Sequence, residues 1–113
     1  MDVLNLVEKA LNIRSFYHRI ISGNIANVET PNYKEKDIDF YSEIQKQMTG
    51  SSGSIDVKEK TENDGMNSID GNTVDIEKQM VRMTENSIVF SSLVQVINKK
   101  FSMLKYAITE GRG

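Results

Sequence analysis

The sequence predicts a mainly α-helical protein: two long terminal heptad helices packing as a coiled-coil or helical-bundle layer, with a short helix and a flexible polar loop between them. Three observations predict it. Near both ends, apolar residues recur alternately three and four apart, which gathers them on one stripe of a helix. The middle of the chain is instead rich in glycine, serine and charge, a composition that buries little. The 113 residues are only 38% hydrophobic, below the roughly 45–50% of ordinary globular proteins even allowing for different residue groupings. A self-sufficient compact core is therefore not expected.

The first segment, residues 1–28, carries the seam Val3, Leu6, Ala10, Ile13, Tyr17, Ile20, Asn24 and Asn27, the pattern of a helix that packs against another helix. A second row, Leu4, Val7, Leu11, Ile21, Ile25 and Val28, lies beside it and is interrupted by Arg14 and His18. The apolar face is wider than one partner helix covers. Thr30 precedes Pro31, so it is pushed toward extended geometry while the proline has no amide hydrogen to donate; helix cannot easily continue past about Glu29. Asn24 and Asn27 admit two readings. Polar residues on a seam fix which register and partner are allowed, and asparagines at a helix end cap the final carbonyls or turn left-handed.

The second segment, residues 29–72, is mostly polar. Phe40, Ile44 and Met48 are spaced by four, which predicts a short helix of about ten residues with one apolar stripe. Residues 49–72 read as a flexible loop with a short strand at Ser54 to Lys58, and loops this long argue for a linker or a segment ordered by partners.

The third segment, residues 73–113, has the strongest pattern. Ile76, Met80, Met83, Ser87, Phe90, Val94, Ile97, Phe101, Leu104 and Ile108 alternate steps of four and three without a slip. A sustained 3.5-residue period implies a left-handed supercoil. Asn72 or Thr73 is expected to cap the helix, with Asp75 favourable in its first turn and Gly111 suited to end it. About 38 residues at about 1.5 Å each give a rod of about 57 Å. From Val89 onward a second row appears, Val89, Leu93, Val96, Met103 and Ala107, broken by Lys100. Each large side chain gains about 1.5–3 kcal/mol on full burial, so a single short partner helix leaves many such contributions unrealised. Further helices must come from other copies or other chains.

Several function classes lose support on composition. The chain has no cysteine and one histidine, His18, which removes disulfide frameworks, thiolate metal sites and cysteine nucleophiles. His18 sits in a helix with no triad around it, so no catalytic residues are assigned and the protein does not read as an enzyme. The stretch ENDGMNSIDG invites a calcium loop, but setting Gly65 or Gly71 at the loop glycine leaves Lys60 or Met66 where the first carboxylate belongs, with no closing glutamate. No glycine-rich phosphate loop precedes a helix, and no cofactor or metal is expected. The net charge of −2 is spread along the chain, so nucleic acid is not an expected partner. No run approaches the roughly 18–20 apolar residues of a membrane span. The N-terminus, broken by Glu8, Lys9, Arg14 and Arg19, lacks the charge and apolar regions of a cleaved secretory signal.

The stretch SGNIANVETPNYK places Asn24, Ile25, Ala26, Asn27, Thr30, Pro31, Tyr33 and Lys34 in the order N-I-A-N-x-x-T-P-x-Y-K. That order resembles the signature shared by the axial proteins of the bacterial flagellum, the rod, hook and hook-associated subunits. KDIDF, VDIEKQMVRMTEN and VINKKFSMLKYAI are similar to the short proximal rod subunits of that family. One departure is Asn32, where glycine is usual; asparagine is the next-best residue for a left-handed turn.

The resemblance implies a subunit of the rod, the drive shaft crossing the periplasmic space of the cell envelope. It implies export through the flagellar type III apparatus without a cleaved signal. The implied partners are further copies of the chain, the adaptor subunit at the rod base, the membrane ring and other rod proteins. Terminal helices poorly ordered in the monomer and joined into a coiled-coil layer on assembly are implied as well, which suits coupled folding and binding. The short middle segment favours a proximal position, with the other short proximal rod subunit as the alternative inside the family. A rival outside it is a discrete antiparallel coiled-coil adaptor or chaperone module, which gives no reason for the Asn24 to Lys34 signature.

Overall fold

The computed structural model describes residues 2–50, 53–61 and 70–111. Helix α1 spans Val3–Ala26, strand β1 Lys36–Asp37, helix α2 Phe40–Met48, strand β2 Lys58–Glu59 and helix α3 Ile76–Gly111. Each helix starts on an aspartate. Asp2 accepts from the Asn5 amide at 2.8 Å, Asp39 from Ser42 at 3.2 Å and Asp75 from Lys78 at 3.2 Å, each satisfying an amide with no partner inside its helix. The expected cap of α3 at Asn72 or Thr73 therefore moves to Asp75, because both earlier residues are committed to other bonds.

The two terminal helices pack against each other, and α2 lies against α1. Gln79 of α3 meets Asn24 of α1, and Asn86 meets Arg14, so the later residue on one helix faces the earlier on the other and the pair is antiparallel. On the α2 side, the Arg14 guanidinium stacks 3.9 Å from the Phe40 ring centre, a cation on an aromatic face, and Lys9 Nζ donates to Gln47 Oε1 at 3.4 Å. Ala10, Val7, Ile13 and Ile21 form the buried apolar row of α1. The molecule is long and thin, 70 × 27 × 18 Å.

The strand expected at Ser54 to Lys58 is shorter and later. β2 pairs antiparallel with β1, Lys36 opposite Glu59 and Asp37 opposite Lys58, and β1 ends as the chain enters the α2 cap, which limits what its partner can pair with. Of the loop expected over residues 49–72, positions 51–52 and 62–69 lie outside the described residues.

Candidate assembly site

The turn that closes α1 is built from the signature residues. Asn27 caps the helix, its amide bonded to the Gly23 and Asn24 carbonyls, and its side-chain nitrogen returns to Gly23 O at 2.8 Å. Thr30 Oγ1 donates to Asn27 Oδ1 at 3.0 Å. Pro31 is exposed at the outside of the bend, where its missing amide costs nothing. Asn32 follows at φ 61°, the left-handed conformation that asparagine tolerates better than most residues.

Asn24 is not part of the cap. It is fully buried and uses every donor and acceptor it has. Its amide nitrogen donates to Lys36 O at 2.7 Å and to Gln79 Oε1 at 2.9 Å. Its oxygen accepts from Lys36 N at 2.9 Å and Tyr33 Oη at 3.4 Å. One side chain thus joins the end of α1, the returning strand β1 and the start of α3. Of the two readings of the seam asparagines, Asn27 takes the capping role and Asn24 becomes a tertiary tie.

The segment leading into α3 is bound into the same knot. Thr73 N donates to Tyr33 O at 3.0 Å, Asn32 N to Asp70 O at 2.8 Å, and Lys60 N to Glu35 O at 2.8 Å. The Thr73 hydroxyl accepts from Glu35 N at 2.8 Å and donates to Lys60 O at 2.7 Å, completing the Glu35–Lys60 pairing that the backbone alone leaves half made. Asn72 donates to the Asn27 and Thr30 carbonyls at 2.9 and 2.8 Å, and Lys34 Nζ reaches Gly71 O at 2.6 Å. Buried Glu35 accepts from Asp75 N at 3.1 Å and pairs with Arg82 at 3.4 Å. A second polar contact lies further along the helices. Asn86 Nδ2 donates to Arg14 O at 2.9 Å and its oxygen accepts from Arg14 Nη1 at 3.2 Å.

The predicted seam is distributed unevenly. On α1, Ile13 is buried, Leu6, Tyr17 and Ile20 are half-buried and Val3 is exposed. On α3, Ile76, Met83, Val94 and Ile97 are half-buried, whereas Met80 is 59% exposed and Phe90 is exposed at its margin. The residues that face α1 in the first half of α3 are Gln79 and Asn86, one position ahead of the seam residues Met80 and Ser87. A straight helix turns about 20° per heptad relative to a 3.5-residue repeat, so a stripe that meets α1 at Ile97 has rotated away from it at Met80. Beyond Ile97 every residue from Asn98 to Gly111 is exposed, Phe101, Leu104 and Ile108 included.

His18 stands exposed at a groove of about 310 Å³ lined also by Ser15, Asn86, Ser87, Phe90 and Ser91. Among the described residues no cluster of three or more His, Cys, Asp or Glu is placed to hold a metal, and no helix is long and apolar enough to cross a membrane.

No protein-family model matches the chain. It is 29% identical over 119 residues to the flagellar basal body rod protein FlgB of Bacillus subtilis (strain 168), across 94% of this chain and 92% of that protein. It is 30% identical over 131 residues to the FlgB of Proteus mirabilis (strain HI4320), across 97% of this chain and 96% of the relative. The chain belongs to the FlgB family of flagellar basal body rod proteins. The FlgB of Salmonella typhimurium is 28% identical over 96% of this chain.

As a FlgB-family chain, the protein carries its signature residues on a bend that faces its own second half. Sequence reasoning placed Asn24, Tyr33 and Lys34 in one motif but missed what they bind: Gln79, Lys36 and Gly71. It also missed Arg14 and Asn86. One signal was available, since Gln79 and Asn86 extend the row of Leu93 backward by whole heptads, which marks them as facing a partner despite being polar.

Proposed function

We propose that this chain is a structural subunit of the proximal flagellar rod, incorporated by helix-to-helix packing, and that it passes torque and axial load along the drive shaft through those contacts. The observation that supports the reading best is the exposed end of α3, where Phe101, Met103, Leu104 and Ile108 stand uncovered in a chain of the FlgB family. An apolar helix end of this kind is ordinarily covered by something outside the molecule. Seam residues Phe90, Val94, Ile97, Phe101 and Leu104 pack against Val3, Leu6, Ile13, Tyr17 and Ile20, within the chain where α1 reaches and on neighbours where it does not. A head-to-tail, non-closing arrangement of such contacts builds a helical assembly instead of a ring or dimer. The three segments, residues 1–28, 29–72 and 73–113, act as one assembly-dependent domain. Neighbours in this reading are further copies, other rod proteins, the basal adaptor subunit and the membrane ring. The chain reaches the envelope through the flagellar type III apparatus.

The test is Phe101→Asp in a motile host. The variant should be synthesised at the parent level, be absent from purified basal bodies and leave cells unable to swim. Normal swimming with the variant present in rods would refute the packing assignment. Isolation of the parent chain only as a sharply melting, fully helical dimer that never enters rods would favour the adaptor reading instead.

A further inference from the structure

The seam of α3 repeats every seven residues, and a repeat is degenerate. Moving one helix past the other by a heptad, about 10 Å, presents an apolar row of the same kind. Connection length alone does not remove the ambiguity, because a long connection adjusts its span at little entropic cost, although the bonds that tie residues 70–75 to the turn resist a slide.

We propose that the two polar contacts between the terminal helices, Asn24 with Gln79 and Arg14 with Asn86, set the register of α1 against α3 and thereby fix how far the apolar end of α3 projects. Gln79 and Asn86 stand one heptad apart on α3, and both are buried. Their partners differ. Gln79 meets a side-chain amide that is otherwise fully used, whereas Asn86 meets a backbone carbonyl and a guanidinium. Exchange of the two by a slide is therefore chemically uneven. Advancing α3 by a heptad sets Asn86 opposite Asn24 and Leu93 opposite Arg14. The Arg14 guanidinium, which forms no ion pair among the described residues and lies on Phe40, then loses its acceptor and gains a hydrocarbon. Retreating by a heptad sets Asn72, which lies before α3, opposite Asn24, and a slide in either direction breaks the Asn72 bonds to Asn27 and Thr30.

Gln79 supplies the second observation. At 0% exposure its Nε2 has no hydrogen-bond partner among the described residues. A leucine would remove that stranded donor but would in turn strand the Asn24 Nδ2–H that Gln79 Oε1 accepts, so the two polar residues are held as a pair. A polar residue kept in a packed seam at that cost is the device by which paired helices exclude wrong registers. Asn24, Gln79, Asn86 and Arg14 are accordingly positioning residues.

The chain has no cysteine of its own, so spin labels go where they are placed. Glu8→Cys and Glu77→Cys put two labels on exposed, axially separated sites. The full-length parent should give one narrow distance. Gln79→Leu with Asn86→Leu should add a second population displaced by about 10 Å, one heptad of rise, with helicity kept. Asn72→Ala, which strips the turn of its two carbonyl bonds but leaves both polar contacts, should keep the parent distance. A single parent-like distance in the double leucine variant overturns the proposal. So does a second population in Asn72→Ala, which would hand the register to the turn, and so does a broad distribution in the parent. None of these readouts requires a rod, so the result stands apart from the functional assignment.

Discussion

The two halves of α3 invert the usual relation between polarity and burial. Its first half is held by polar groups: Gln79 and Asn86 are buried against α1, and Arg82 pairs with Glu35. Its last part, residues 98–111, carries Phe101, Met103, Leu104, Tyr106 and Ile108 in the open. A solitary soluble protein hides its large apolar side chains and leaves amides wet. Here directional bonds fix one end, while the non-directional attraction is left unspent at the other. Hydrogen bonds specify a geometry, so they suit the end that folds against its own chain; apolar surface is tolerant of partner and suits the end that the proposed assembly would cover.

This contrast can be broken most strongly at Asn24. Asn24→Leu removes four hydrogen bonds and strands the Lys36 amide and carbonyl and the Gln79 oxygen in a dry site. A loss of about 2–4 kcal/mol is expected, read as a lower urea midpoint of the helical circular dichroism signal. A smaller loss, about 1–3 kcal/mol, is expected from Gly71→Ala. Gly71 lies at φ 77°, and a Cβ there meets Asn32 Oδ1 at 2.5 Å, so the new methyl is strained and displaces the residue that makes the left-handed turn. An unchanged urea midpoint in this variant would mean the turn contributes little to the clasped end.

The next effect is set by pH. Burial, then the nearby Asp37 carboxylate, raises the Tyr17 pKa above the usual tyrosine value, with Arg82 and Arg14 opposing. A raised folded-state pKa means that the folded chain holds the phenolic proton longer than the unfolded one. The associated stability is present below about pH 10 and is lost as pH rises through the folded value. Chemical melts of Tyr17→Phe between pH 8 and pH 11 should therefore decline less than those of the parent; parallel decline would remove the tyrosine from the account. The smallest effect belongs to the projecting end. Leu104→Ala should change the stability of the isolated chain by less than about 0.5 kcal/mol, since Leu104 is exposed and lies beyond the reach of α1. A larger drop in a dilute, monomeric sample would show that the end is covered within the molecule.

Much of the architecture was legible because it rests on local rules. The heptad rows marked both long helices, Pro31 marked the end of α1, and Asn32 occupies the left-handed position that a glycine usually takes. The site was less legible. The pattern points to Asn72 or Thr73 as the cap of α3, yet the Thr73 hydroxyl bridges the Glu35 amide and the Lys60 carbonyl next to the two strands, and the cap role passes to Asp75. In the first half of α3 the predicted seam is only partly turned toward α1, with Ile76 and Met83 half-buried but Met80 and Ser87 exposed, because the drift between 3.5 and 3.6 residues per turn accumulates with length. Arg14 and His18 looked alike as interruptions of a row, but only Arg14 is drawn between helices, by Phe40 on one side and Asn86 on the other.

By itself the sequence determined the helices, their approximate ends, the apolar surplus that a single chain cannot cover and the likeness to flagellar axial proteins. These follow from spacing and composition, which act over one or two turns. Only the tertiary structure decided that Asn24 binds Lys36 and Gln79 rather than capping its own helix, and that Asn86 answers Arg14 from 72 residues away. Such pairings depend on how two helices are rotated and offset in space, and a linear pattern with a seven-residue repeat leaves both quantities undetermined.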